Sequence, residues 1–187
     1  MGRSTATAAI AVVLLAVAGC GGDDDGDTTA ARTTPPPAPP SSQAVPAPSP
    51  EEAARTQALE VYRQWRALQL AVDAGDPLDE ATVSRLSTGR AAELIRQIAV
   101  DTAKDRITTH GPDGALTPTA TVALAPPVPT VTIVDCIDIS RRYVTKADGS
   151  PYTPPPQSPR YRKTFTLTQT TGLWQVSDMR SERDRTC

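Results

Sequence analysis

Residues 160–180 read RYRKTFTLTQTTGLWQVSDMR. Tyr161, Phe165 and Leu167 alternate with Arg162, Thr164 and Thr166, the period of a half-exposed strand. Thr171-Gly172 is a natural hairpin turn, and Leu173–Arg180 reads as the returning strand. Upstream, β-branched residues take over after His110, and further strands are expected over Thr117–Leu124, Val128–Ile139 and Arg141–Lys146. Asp148-Gly149 offers another turn. The Pro151 to Pro159 stretch is too rich in proline for a central strand and reads as a long surface loop.

Before His110 the period changes to that of helices. Ser49-Pro50-Glu51-Glu52 places serine at the N-cap, proline at N1 and glutamate at N3, a capping box. Ala54, Ala58, Val61, Trp65, Leu68 and Val72 then recur at steps of three and four, and Gly75 and Pro77 end the helix. A short helix is expected around Glu80–Leu86. Another runs from about Gly89 to Arg106, capped by Thr88, with Leu94, Ile95, Ile98 and Ala99 facing inward. Gly111, Pro112 and Gly114 mark a turn. Helices first and antiparallel strands after them read as an α+β domain with the helices on one sheet face.

The domain occupies residues 51–187, an ordinary size for one hydrophobic core. It carries 17 basic and 17 acidic side chains. A neutral balance lacks the basic footprint of a nucleic-acid binder, so no nucleic-acid partner is expected. Arginine outnumbers lysine sixteen to three and asparagine is absent, the mark of a GC-rich genome.

Residues 1–50 contain no aromatic residue and cannot build a core. Arg3 opens a short positive segment, Ala8 to Ala18 are apolar, and Val17-Ala18-Gly19-Cys20 places small residues ahead of a cysteine. That run has the length of a signal-peptide core and is too short for a spanning helix. The Val-Ala-Gly-Cys order resembles the bacterial lipobox, in which the cysteine is acylated and becomes the new N-terminus. Residues 1–19 are therefore expected to be a lipoprotein signal peptide, and Cys20 a lipid anchor on the extracytoplasmic face of the cell membrane. Residues 20–50 read as a disordered acidic and Pro-rich tether. Half of the sixteen residues from Pro35 to Pro50 are proline, which favours a semi-rigid polyproline spacer of roughly 50 Å. Asp23, Asp24, Asp25 and Asp27 lack the spaced ligands of a calcium loop.

With Cys20 assigned to lipid, Cys136 and Cys187 remain. Both would lie outside the membrane, where disulfides persist, and pairing them would pin the end of the chain to a central strand.

The pattern resembles actinobacterial secreted lipoproteins with a nuclear-transport-factor-like (cystatin-like) domain. The likeness rests on Tyr62 and Trp65, Ser87-Thr88-Gly89-Arg90, Val134-Asp135-Cys136-Ile137-Asp138, Trp174-Gln175-Val176 and the terminal Cys187. It implies helices folded over a strongly curved antiparallel sheet around a conical pocket. It implies no one activity, because that superfamily spans isomerases, cyclases, dehydratases and inert binding modules.

No nucleophile elbow, phosphate loop or metal-binding cluster is present in the sequence, and no cofactor or metal is expected. His110 is the single histidine, so no histidine-rich metal site exists. Enolising enzymes of the superfamily pair a carboxylate base with a tyrosine or acid donor. Asp135, Asp138, Tyr62 and Tyr143 are the weak candidates for those parts, although no motif singles them out. Ion pairs and turn hydrogen bonds are the ordinary reading of the two aspartates. Trp65 and Trp174 are candidates for a ligand pocket, with core packing the commoner role. Arg160, Arg162, Lys163, Arg180, Arg183 and Arg185 make the C-terminal strands basic, a face suited to anionic head groups or cell-wall polymer or a charged edge that prevents aggregation. The expectation is a membrane-anchored, non-enzymatic accessory or binding module whose partner is an envelope protein or cell-wall polymer. The alternatives are a small isomerase or cyclase using a pocket carboxylate, and a carrier of a small apolar ligand.

Overall fold

The capping box forms as the sequence reads. Glu52 N donates to Ser49 Oγ (3.2 Å) and Ser49 N to Glu52 Oε2 (2.8 Å), and helix α1 runs from Pro50 to Asp73. The computed structural model describes residues 47–187 except 115, 116 and 126. The segment expected to be a signal peptide, the expected anchor Cys20 and all but the last residues of the expected tether lie outside the described residues. Ala74 and Gly75, the latter at φ +97°, close α1. Helix α2 (Glu80–Leu86) starts at Asp79, whose carboxylate accepts from Ala81 N and Thr82 N. Helix α3 (Gly89–Asp105) has Thr88 at its N-cap without a side-chain cap bond. The Thr88 amide instead donates to Val176 O (2.9 Å), fastening the α2–α3 junction to the sheet. Among the described residues no helix is long and apolar enough to cross a membrane.

Among the described residues seven strands follow: β1 (Ile107–His110), β2 (Thr119–Ala123), β3 (Thr130–Asp138), β4 (Tyr143–Lys146), β5 (Pro151–Tyr152), β6 (Arg160–Thr170) and β7 (Leu173–Glu182). All neighbours pair antiparallel. The fold class is α+β, three helices packed against antiparallel strands. Two details depart from the sequence reading. The single expected sheet is divided into a four-stranded sheet, β2-β3-β6-β7, and a three-stranded one, β1-β4-β5. Residues Ile107–His110, where no strand was expected, form β1, because Arg106 adopts a left-handed conformation (φ +54°) that ends α3 and turns the chain straight into the strand. The Pro-rich stretch pairs for two residues only, at the edge of the smaller sheet, as proline's missing donor demands.

The β6–β7 hairpin turns on Thr171 (φ +53°) and Gly172 (φ +82°), the paired positive φ values of a tight hairpin. Ser177 is an extra residue in β7, between the pairs Leu167–Val176 and Thr166–Asp178. The bulge shifts the strand's parity, so Trp174 and Val176 before it and Met179 after it all reach the core. β3 alternates strictly, with Val131, Ile133, Asp135 and Ile137 buried, and β6 buries Tyr161, Lys163, Phe165 and Leu167. The main core joins Ala58, Tyr62 and Trp65 of α1 to Ile133, Phe165, Leu167, Trp174 and Val176. Tyr62 and Trp65 meet the Phe165 ring edge-on, at 4.8 and 5.8 Å between centroids. A second cluster of Val72, Val83, Ala92 and Ile95 holds the helices together.

Candidate functional site

Tyr62, Arg66, Gln69 and Asp73 follow one another along α1 at steps of four, three and four, so they share one face of the helix. That face turns inward. Tyr62 and Arg66 are fully buried and Gln69 nearly so. Opposite them, the inward alternation of the sheet presents Asp135 from β3 and Lys163 from β6. The loop after β1 adds Asp113, and the residue before β4 is Arg142.

Burying charges is costly unless they are paired, and most of these are. Arg66 bridges Gln69 and Asp113. Arg142 Nε lies 2.9 Å from Asp113 Oδ1, and its Nη1 lies 3.4 Å from Asp73 Oδ2. Arg141 Nη2 donates to Asp113 O (3.0 Å). Gly111 makes this corner: at φ +90°, a Cβ there would come within 2.5 Å of Arg141 O, so glycine lets β1 leave close beside the arginines. Tyr62 Oη donates to Asp135 Oδ2, and Thr117 N donates to Asp135 Oδ1 (3.1 Å).

Lys163 is the exception. Only 5 % exposed, it has no carboxylate within 4 Å among the described residues. Its ammonium lies 5.7 Å from the centre of the Tyr161 ring. Burial, with Arg66 close by, pushes the amine down to about 7, against the pull of Asp73. Burial raises the Asp73 carboxyl above the usual range, and Arg142 opposes the rise. The Tyr62 phenol is pushed far up by burial and then by its hydrogen bond to Asp135.

Lys163, Asp73, Arg142, Gln69 and Tyr161 line a cavity of about 650 Å³. Ile98, Ile107, Ile139 and Val144 make its apolar wall, and the Pro154–Pro156 segment and Arg183 complete it. This volume and mixture, an apolar wall with a few convergent polar groups, suit a small-molecule site. A second cavity of about 500 Å³ adjoins the end of α1, but its charged residues, Asp76, Arg106 and Lys146, are all exposed. Among the described residues no group of three or more His, Cys, Asp or Glu side chains is placed to hold a metal ion.

Of the residues singled out in the sequence, Tyr62 and Asp135 come together, buried, but neither lines the 650 Å³ cavity. Asp138 is at the surface, held below the usual carboxylate range by hydrogen bonds from Ser140 and lying 3.9 Å from Arg160. Tyr143 is 60 % exposed and stacks on His110, at 5.3 Å between centroids. His110 Nε2 shares hydrogen bonds with Thr108 (2.8 Å) and Thr145 (3.1 Å). Trp65 and Trp174 are core residues and line no part of the cavity. Cys136 and Cys187 form a disulfide. The basic C-terminal stretch does not make one charged face: Arg160, Arg162, Arg180 and Arg185 sit beside Asp138, Glu182, Asp178 and Glu182, and Lys163 points inward.

No family model matches the chain, and no curated protein does. Solved structures similar to it include the intermembrane space region of the chloroplast protein ARC6, with a TM-score of 0.46 and 14% identity over 68% of this chain and 95% of that one. Aln2 from a Streptomyces species has a TM-score of 0.43 and 15% identity over 73% and 94% of the two chains. An NTF2-like protein from Cytophaga hutchinsonii has a TM-score of 0.40 and 10% identity over 71% and 98%.

Proposed function

We propose that the chain is an exported lipoprotein, anchored through Cys20 at the extracytoplasmic face of the cell membrane, whose domain is a non-enzymatic binding module of nuclear-transport-factor-like type. The anchoring rests on the Val17-Ala18-Gly19-Cys20 lipobox and the apolar run before it. The binding role rests on one observation: an ionisable lysine, Lys163, is buried without a carboxylate partner at the wall of a 650 Å³ cavity whose lining mixes an aliphatic and proline wall with polar and charged groups. A protein gains nothing in stability from such a group, whereas a ligand site does use it. The tether would hold this module off the bilayer, within reach of an envelope protein or cell-wall polymer.

An isomerase or cyclase built on Asp135 is the less favoured reading. Asp135 does face inward beside a phenol, but both its oxygens are taken by Tyr62 and Thr117, and the pair lies outside the cavity wall.

Two experiments test the proposal. Cys20→Ala should release the protein from membranes or leave it unprocessed, and a variant that fractionates and migrates like wild type refutes the anchor. Native mass spectrometry of the full-length protein, taken from its membrane, should show a retained small molecule that Lys163→Met loses. A molecule retained equally by both proteins would place the binding site elsewhere.

A further inference from the structure

Four cations, Arg66, Arg142, Lys163 and Arg183, and three carboxylates, Asp73, Asp113 and Asp135, meet at or just behind the wall of the large cavity. The carboxylates are spoken for. Asp113 is shared by Arg66 and Arg142, Asp73 faces Arg142, and Asp135 accepts from Tyr62 and Thr117. At the cavity wall Arg142 Nη2 is buried without an acceptor among the described residues, and Lys163 Nζ makes neither a hydrogen bond nor an ion pair there; Arg142 Nε and Asp113 Oδ1, 2.9 Å apart, meet as charges outside hydrogen-bond geometry. From this imbalance we infer that the cavity takes a small monocarboxylate with an apolar body, its carboxylate held by Lys163 and Arg142 and its body laid against Ile98, Ile107 and Val144. The inference rests on the reading of the cavity as a binding site and names the class of ligand.

The charge count selects a monoanion. The surplus of one cation, which counts the exposed Arg183 of the cavity lining, is neutralised by one carboxylate, whose two oxygens match Lys163 Nζ and Arg142 Nη2. A phosphate dianion would overshoot and leave its own charge buried. Binding also moves a proton. Without a ligand the lysine is poised at about 7, because burial and the guanidinium groups of Arg66 and Arg142 disfavour its charge. A carboxylate beside it favours the charged form. The titratable groups around Lys163 are Asp73, Tyr62 and Arg66 from α1, Asp135 from β3, Tyr152 from β5, Tyr161 from β6, Arg142 and Asp113 from the loops, and Arg183 after β7. None supplies an anion that is free to move onto the amine.

The test uses the full-length protein in lipid nanodiscs, with empty nanodiscs as the blank, and titrates octanoate against octanamide by calorimetry at pH 7. Octanoate should bind at least about tenfold more tightly than octanamide, the effect of one charge-assisted contact. In buffers of different ionisation heat it should take up about half a proton at pH 7 and almost none at pH 5.5. Lys163→Met should lose both the selectivity and the uptake, while Lys163→Arg should keep the selectivity and lose the uptake. Octanamide binding as tightly as octanoate to the wild-type protein overturns the monocarboxylate inference and leaves the cavity as a binding site. Heats indistinguishable from the blank for both probes overturn the cavity reading itself. Thermal unfolding of each variant identifies one that is unfolded, and Lys163→Arg carries the test if Lys163→Met is.

Discussion

Lys163 and Asp135 are register partners on β6 and β3, on the same buried face of the sheet, yet they do not form an ion pair. Opposite charges so placed normally meet. Here the Asp135 carboxylate is turned away, accepting from the Tyr62 phenol on one oxygen and the Thr117 amide on the other. The tyrosine wins because a buried phenol also needs a partner, and α1 delivers it from above the sheet. The lysine is thereby left facing the cavity.

A lysine in that position destabilises the fold when charged. Its value is about 7 in the folded chain against about 10.4 when unfolded. Between those limits the unfolded chain holds a proton that the folded chain lacks, so stability rises with pH through the window. The penalty is complete below about pH 7 and gone above about pH 10.5. Lys163→Met should therefore be more stable than wild type at pH 6, by something on the order of 4 kcal/mol, and the gap should have shrunk to under about 1 kcal/mol at pH 10. Urea unfolding at both pH values measures the gap, and a gap independent of pH would mean that the amine is not desolvated.

Much of this was legible in the sequence, and what was missed has a physical reason. The capping box, both hairpin turns, the three helices and the five expected strands follow from local rules and appear at or near their expected bounds, whereas the short strands β1 and β5 were not foreseen. The site was hidden because apolar periodicity selects apolar residues. The stripe of Ala54, Ala58, Val61, Trp65, Leu68 and Val72 is real, but Val61 and Leu68 are only half-buried, while Tyr62, Arg66 and Gln69 beside them are inside. Their spacing, continued to Asp73, is a helical stripe of polar residues and was the available signal. In β6 the same holds: the alternation through Tyr161, Phe165 and Leu167 places Lys163 on the inner face, whatever its charge. The division into two sheets depends on β1 pairing β4 across a long loop, which no local pattern encodes.

Asp113 neutralises two arginines at once, Arg66 and Arg142, while itself only 8 % exposed. Asp113→Ala leaves both guanidinium groups short of an anion, and removing one partner of a buried pair costs about 3–5 kcal/mol. Chemical denaturation at pH 7 should show a loss of that size. A loss under about 1 kcal/mol would mean that water reaches this corner and screens it.

Tyr62→Phe keeps the ring that packs on Phe165 and removes only the donor to Asp135. The expected cost is about 1–3 kcal/mol, that of a buried acceptor left short of a partner. Adding Asp135→Asn should recover part of it, because the charge that lacked a donor is then gone, and a double-mutant cycle reads the coupling. The wild-type phenol should also resist ionisation in an alkaline titration until the chain unfolds, since burial and Asp135 both push it up. Additive costs in the cycle would show that the two groups do not depend on each other.

The disulfide ties down the C-terminal segment that carries Arg183 to the cavity. Cys187 is tied to Cys136 on the outer face of β3, 51 residues earlier in the chain. Between β7 and that bond run Arg183, which lies over the Tyr161 ring at 5.4 Å and lines the cavity, and Arg185, whose carbonyl accepts from Arg162 N (3.0 Å). Closing a loop of this length contributes roughly 4 kcal/mol through the unfolded chain. Reduction, or Cys136→Ala with Cys187→Ala, should therefore lower the urea midpoint while leaving the helices and the main core intact, as neither cysteine packs there. The local effect discriminates further. If the bond holds the C-terminal segment against β6, the Arg162 amide should exchange faster on reduction while the core amides of β3 and β6 exchange only as the global stability dictates. Equal acceleration at Arg162 and at Phe165 would mean that the bond acts on the unfolded chain alone and leaves the cavity wall untouched.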